Sequence, residues 1–292
     1  MPKYGIFLGC FLPFRYPCVE VAMRKVLDTL GADYTIISDY SCCPEPVITR
    51  LVDHDFWLAL AARNLALAEE QGVERVIVPC CGCYETLYEA EKTLENPEER
   101  EKVNAVLSKF GHEYKGTIRV EHIVETIYRD FLPKVKELVV APFTARVAIH
   151  YCCHLFRIRA GEDIWLKHDM TRDIMRLIGA EVLRYKLERF CCGFPASQVD
   201  MEFSLKERLA PKLEAMRAVG AECVVTACMA CITQFERGQV MLKRYGMVFD
   251  MPVLHPVEAM ALAFGVKPEE LGLEVHRSPV PEFVRRIYGR GG

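Results

Sequence analysis

A chain of 292 residues with 51% hydrophobic and 26% charged side chains has apolar surface enough for two domains or one internally repeated unit. Its net charge of −3 comes from Lys and Arg interleaved with Asp and Glu, as in Glu98-Glu99-Arg100-Glu101-Lys102, which leaves no basic face for nucleic acid. No apolar run reaches the roughly 18 residues of a membrane-crossing helix, and the opening stretch lacks the cleavage site of a signal peptide, so the expected location is the cytoplasm.

In chain order, residues 4–9 read as a buried strand that delivers Cys10 at its C-terminal end. A helix over about 19–30 is stopped by Gly31, a short strand follows at 34–37, and Ser41-Cys42-Cys43-Pro44 is a turn. Asp53 caps a long helix at 56–71, closed by Gly72. Residues 73–78 are apolar and β-branched, a strand that Pro79 ends just before Cys80. Helical patterns continue over 84–94, 98–110 and 121–138.

The second half repeats this logic. A strand at 146–150 runs to Cys152 and Cys153, and a helix at 170–178 stops at Gly179. A strand at 182–185 precedes Cys191-Cys192-Gly193, a helix covers 202–219, and a strand at 223–226 runs into Cys228. The alternation predicts an α/β fold of two pseudo-symmetric domains, 1–140 and 141–292, each with a small, mostly parallel sheet flanked by helices. Residues 131–145, with Pro133 and Pro142, are the candidate linker, overlapping the end of the last helix of the first half. The segment from Phe283 to Tyr288, rich in Arg, would cover a partner or, more simply, the domain's own surface.

Fourteen cysteines need an explanation in a reducing compartment, where structural disulfides are rare. Ten of them form the pattern C–x31–CC–x36–CxxC followed by C–x37–CC–x35–CxxC. Five thiols in each set are one more than a tetrahedral zinc site accepts. A CxxC pair can reach one metal, whereas adjacent cysteines diverge toward different atoms, which suits a polynuclear iron–sulfur centre. Buried single cysteines are commonly inert, a reading that fits Cys18 and Cys223. Cys81 and Cys152 adjoin proposed ligands, and Cys81 is expected to be an outward-pointing bystander.

The residues Phe7-Leu8-Gly9-Cys10, Arg15-Tyr16-Pro17, Ser41-Cys42-Cys43-Pro44, Gly82-Cys83-Tyr84, Cys153-His154-Leu155, Cys191-Cys192-Gly193 and Cys228-Met229-Ala230-Cys231 resemble the tandem CCG domain. With the 57–64 stretch, Glu113 to Gly116, His150, Gln234 and Phe235, the match spans about residues 4–265, and the chain is similar to the B subunits of heterodisulfide reductases. The resemblance implies two noncubane 4Fe-4S clusters. Cys10, Cys42, Cys43, Cys80 and Cys83 would hold one, and Cys153, Cys191, Cys192, Cys228 and Cys231 the other. Cysteine is not usual in the family at position 81, which leaves open whether Cys80 or Cys81 is the ligand.

By the same resemblance the activity would be reduction of a disulfide, such as that of coenzyme M and coenzyme B, to two thiols. One cluster on each side of the S–S bond would capture each sulfur, so no thiyl radical is released. Electrons would come through a ferredoxin-like C subunit from a flavin-containing A subunit. His154 and His150 are candidate proton donors, or hydrogen bonds that orient ligand loops. Arg15, Arg157 and Arg159 are candidate contacts for a sulfonate or phosphate of the substrate. Two alternatives stay open, an electron-relay subunit of another complex and one cluster plus a structural zinc. GxGxxG, GxxxxGK[ST] and HExxH are all absent from the sequence.

Overall fold

The computed structural model describes residues 2–156 and 164–289. Two four-stranded sheets have the same order and are parallel throughout. In the first, β1 (Tyr4–Ile6) lies between β2 (Tyr34–Ile36) and β3 (Arg75–Val78), with β4 (Arg119–His122) outside β3. In the second, β5 (Arg146–Ile149) lies between β6 (Glu181–Leu183) and β7 (Cys223–Val225), with β8 (Val253–Leu254) outside β7. The pairing Tyr4↔Tyr34 and Tyr4↔Arg75 in one sheet has its counterpart in Val147↔Val182 and Val147↔Cys223 in the other. Helices return the chain between parallel strands, as such pairing requires.

Most expected elements form with shifted ends. Asp53 accepts a hydrogen bond from the Phe56 amide at 2.9 Å and caps the helix His54–Glu70. Three expectations are corrected. The predicted helix at 121–138 begins instead as β4, and β8 had no counterpart in the sequence pattern. β4 runs straight into helix and β8 has two residues, and each forms as an edge strand paired with its inner neighbour, β3 or β7. The linker is shorter than expected, because Pro133 sits in the first turn of a helix, Leu132–Glu137, where its missing N–H costs nothing. The tail folds back on its own chain: Val280, Phe283 and Val284 are buried in the helix Val280–Tyr288, and Tyr288 donates to the Ala141 carbonyl at 3.2 Å.

The halves share one continuous apolar core. Its seam carries a buried polar clasp. His276 lies between two carboxylates, with Nδ1 2.8 Å from Glu236 and Nε2 2.9 Å from Glu258, and Tyr16 of the first half donates to Glu236 at 3.1 Å. These carboxylates push the imidazole pKa well up against the opposing effect of burial, so His276 is held as a cation.

Candidate metal centre

Strand ends place the cysteines. Cys10 and Cys153 lie four residues beyond β1 and β5, at the start of short helices. Cys80 and Cys228 are the N-cap residues of the helices Cys81–Thr93 and Met229–Leu242, so Cys83 and Cys231 fall in the first turn. Each pair of adjacent cysteines occupies a loop between. Asn64 holds the first loop, accepting from the Ser41 amide at 2.9 Å and donating to the Cys42 carbonyl at 3.2 Å. Ser204 holds the second, donating to the Gly193 carbonyl at 2.7 Å while Gln234 donates to Ser204 at 2.9 Å. Gly193 adopts φ +92°, and a Cβ there would stand 2.8 Å from Ser204 Oγ, so only glycine fits behind the pair.

The thiols then form two chains of contacts in the same order. In the first half the sequence is Cys10, Cys42, Cys43, Cys83, Cys80. In the second it is Cys153, Cys191, Cys192, Cys231, Cys228, with 3.5 Å between the Cys192 and Cys231 sulfurs. The two chains meet end to end, because the buried thiols of Cys80 and Cys228 interact across the seam and shift each other's ionisation. Ten thiols therefore make one unbroken line through the molecule.

Neighbouring thiols set which members ionise. Hydrogen bonds from Cys42 and Cys83 bring Cys43 down to about 6, and those from Cys153 and Cys192 bring Cys191 down to about 2. Hydrogen bonds to Cys152 and its neighbours hold Cys228 well below the ordinary thiol value. Cys80 is pushed up to about 12, first by its bond to Cys228. Each set thus offers thiolate to a metal at neutral pH and stores thiol–thiol crowding that a cation would relieve.

An all-sulfur donor set of five suits a polynuclear iron–sulfur group. His150 adds a second observation: it is buried, and neither ring nitrogen has a hydrogen-bond partner among the described residues. Its ring lies with the sulfurs of Cys192 and Cys231, their ligand atoms within 4.8 Å of one another. Burial holds its pKa well below the ordinary value, so the imidazole is neutral and keeps one N–H for a sulfur acceptor. The residues fit the group.

The cysteines of the first half open onto a cavity of about 540 Å³. All five line it, and the far wall comes from the second half through His154, Phe194, Pro195 and Ala230. His154 is fixed by a buried hydrogen bond from Nδ1 to Glu85, a residue of the opposite half that no sequence pattern marks. The second set sits deeper, over the buried Lys212, whose ammonium donates to the carbonyls of Leu187, Glu188 and Phe190. Burial pulls Lys212 down to about 8, against the opposing pull of the Cys192, Cys231 and Cys191 thiols.

Other expectations fare differently. Cys81 is fully buried, not outward-pointing: its thiol donates to the Ala227 carbonyl at 3.1 Å, and its sulfur groups with those of Cys152 and Cys228. The helix start at Cys81 turns that side chain into the seam. Arg15 lies against Tyr16, its Nε donating to the phenol oxygen at 3.2 Å, and is not part of the cavity wall. Arg157 and Arg159 lie outside the described residues. Cys18 sits in the seam, 3.5 Å from His276 Nε2, and Cys223 is buried in β7.

The CCG cysteine-rich domain matches residues 4–88 and 147–236. The chain is 35% identical over 294 residues to the B subunit of the ferredoxin/F420H2-dependent CoB-CoM heterodisulfide reductase of Methanosarcina acetivorans, covering 99% of this chain and 98% of the relative. It is 36% identical to a protein of Archaeoglobus profundus described as like the B subunit of heterodisulfide reductase, covering 98% of each. A more distant relative is the 8-methylmenaquinol:fumarate reductase membrane anchor subunit of Wolinella succinogenes, 27% identical over 93% of this chain and 95% of that one. A solved structure of a hypothetical protein from Helicobacter pylori superposes with a TM-score of 0.73 at 19% identity, covering 94% of this chain and 51% of the other, which speaks to the fold alone. Among the described residues no helix is long and apolar enough to cross a membrane.

Proposed function

The chain belongs to the family of tandem CCG proteins formed by the B subunits of heterodisulfide reductases, and from that premise we propose that it is the catalytic subunit of such a complex. The observation that carries this reading is the line of ten thiols with a ligand-sized apolar cavity opening on one end of it. Cys10, Cys42, Cys43, Cys80 and Cys83 would hold one noncubane 4Fe-4S cluster, and Cys153, Cys191, Cys192, Cys228 and Cys231 the second. When bound, the clusters supply electrons singly to the two sulfurs of a disulfide such as the CoB-CoM heterodisulfide. The balance is one disulfide, two electrons and two protons giving two thiols.

The protein's own residues supply what the clusters do not. Phe194 and Pro195 close an apolar wall that keeps water from the reacting sulfurs. His154, oriented by Glu85, presents an imidazole at the cavity wall and delivers a proton to a departing thiolate. His150 has no route to that cavity among its described contacts, and its part is to donate a hydrogen bond to a sulfur of the second centre. Electrons would arrive from ferredoxin-like and flavin-containing partner subunits. The division of the chain at 140/141 would separate the two cluster-binding units.

Anaerobically purified protein is expected to hold about eight irons per chain, four for each cluster, and to reduce a disulfide with reduced viologen as donor. About four irons with one zinc overturns the two-cluster assignment. The Cys192→Ser variant is expected to lose turnover, and retained turnover overturns the catalytic reading in favour of electron relay.

A further inference from the structure

Two histidines unassigned by any motif stand at matching places in the two halves. His122 ends β4 and His255 follows β8, and both are fully buried. Each caps the helix that begins after it. The Val124 amide donates to His122 Nδ1 and the Val257 amide to His255 Nδ1, both at 3.3 Å. Each is completed by a glutamate, Glu125 or Glu258, that accepts the histidine's own amide at 2.9 and 2.8 Å. With Nδ1 accepting, the proton must sit on Nε2.

Both Nε2–H groups point across the seam. His122 donates to the Ala227 carbonyl at 3.1 Å, with Cys81 Sγ of its own half 3.6 Å from the same nitrogen, and His255 donates to the Pro79 carbonyl at 3.2 Å. Those two carbonyls belong to the residues directly before Cys228 and Cys80, the first cysteine of each CxxC pair and the two thiols that meet across the seam. Capping alone does not account for histidine here, since Ser, Thr, Asp and Asn are the favoured caps. Only a longer side chain with a donor at its far end can cap one half and reach the other. Both residues lie outside the segments that the CCG domain matches.

We propose that His122 and His255 are a reciprocal pair of positioning residues, each fixing the CxxC loop of the opposite half and so tying the geometry of one metal centre to the docking of the other. The proposal rests on the cluster reading above for its consequence, but not for its geometry. The carbonyl that each imidazole holds sets the backbone direction entering a ligand cysteine. A shift of one half is therefore felt at the sulfur of the other.

His122→Asn and His255→Asn separate the two roles, because asparagine keeps the cap and is too short to cross the seam. Peptide-resolved hydrogen exchange on the full, anaerobically purified chain should show at least tenfold faster exchange around residues 227–231 in His122→Asn. In His255→Asn the same acceleration should appear around residues 79–83. This readout holds whatever metal is bound. For the centres themselves, Cys43→Ala and Cys192→Ala chains each keep one set of five cysteines. His122→Asn should change the electron paramagnetic resonance signal of the chain that keeps the second set and leave the other unchanged, with the reverse for His255→Asn. A larger effect on the variant's own half than on the opposite one, an equal effect on both, or unchanged exchange in both loops overturns the proposal. Crossed exchange in a chain without iron would instead leave the pairing standing and overturn the cluster reading.

Discussion

The two halves carry the same thiol order on the same sheet, yet their surroundings differ. The first set opens on the cavity, and Phe7 stands where the second half has His150; the Phe7 and His150 amides donate to equivalent carbonyls, Ile77 at 3.0 Å and Val225 at 2.9 Å. The second set has the unpaired imidazole of His150, the Lys212 ammonium beneath it and the extra thiols of Cys81 and Cys152 beside Cys228. Hydrogen-bond donors and positive charge near cluster sulfurs favour the reduced state. The two cysteine sets thus match while their surroundings differ, and on the proposed function the second centre would have the higher reduction potential.

The largest expected effect comes from breaking the buried ion pair of the clasp on which Tyr16 and Cys18 of the first half rest. Glu258→Gln leaves the His276 cation with a weakened counter-charge in a fully buried site, and removing one partner of such a group costs about 3–5 kcal/mol. Urea unfolding followed by circular dichroism measures it, and a loss below ~1 kcal/mol would show that the buried Glu258–His276 pair adds little to stability.

Acid should reach the seam next. Burial holds His255 at about 4, below its ordinary 6.5, so the unfolded chain takes up the proton first. Stability present above 6.5 is lost as the pH falls toward 4, at about 1.4 kcal/mol per unit in that window. The slope of stability against pH should flatten in His255→Asn, and an unchanged slope would place the acid sensitivity elsewhere.

Exchanging the residues that distinguish the two sites tests the tuning itself. His150→Phe should lower the reduction potential of the second centre by about 60 mV, a tenfold change for one electron. Phe7→His should raise that of the first. Redox titration monitored by paramagnetic resonance reads both, and equal potentials in all three proteins would erase the proposed difference. The smallest effect is at the cavity wall: Phe194→Ala, trimming an apolar contact worth about 1–2 kcal/mol, should raise KM for the disulfide several-fold with little change in kcat.

Much of this was legible in the sequence because it is local. The strands that deliver Cys10, Cys80, Cys153 and Cys228 show as apolar runs ended by Gly, Pro or polar residues, and the repeat spacing shows that the sets match. What escaped depends on the other half. Glu85 looks like an ordinary helix-surface glutamate until His154 arrives from 69 residues away. His122 and His255 occupy strand ends too short for a pattern, and their partners lie 105 and 176 residues distant. Cys81 looked peripheral because both of its partners are distant in sequence, His122 of its own half 41 residues on and the Ala227 carbonyl of the other half 146 residues on.

The crossed histidines also bear on symmetry. A contact in which residue i of one unit meets residue j of the other, and j of the first meets i of the second, is the isologous arrangement of a twofold dimer. Here it occurs within one polypeptide, joined through the short stretch between the helix Leu132–Glu137 and β5. The geometry is that of a twofold dimer carried within one chain. A single chain, unlike a dimer of identical copies, can hold different residues at equivalent places such as Phe7 and His150 while keeping the crossed contact.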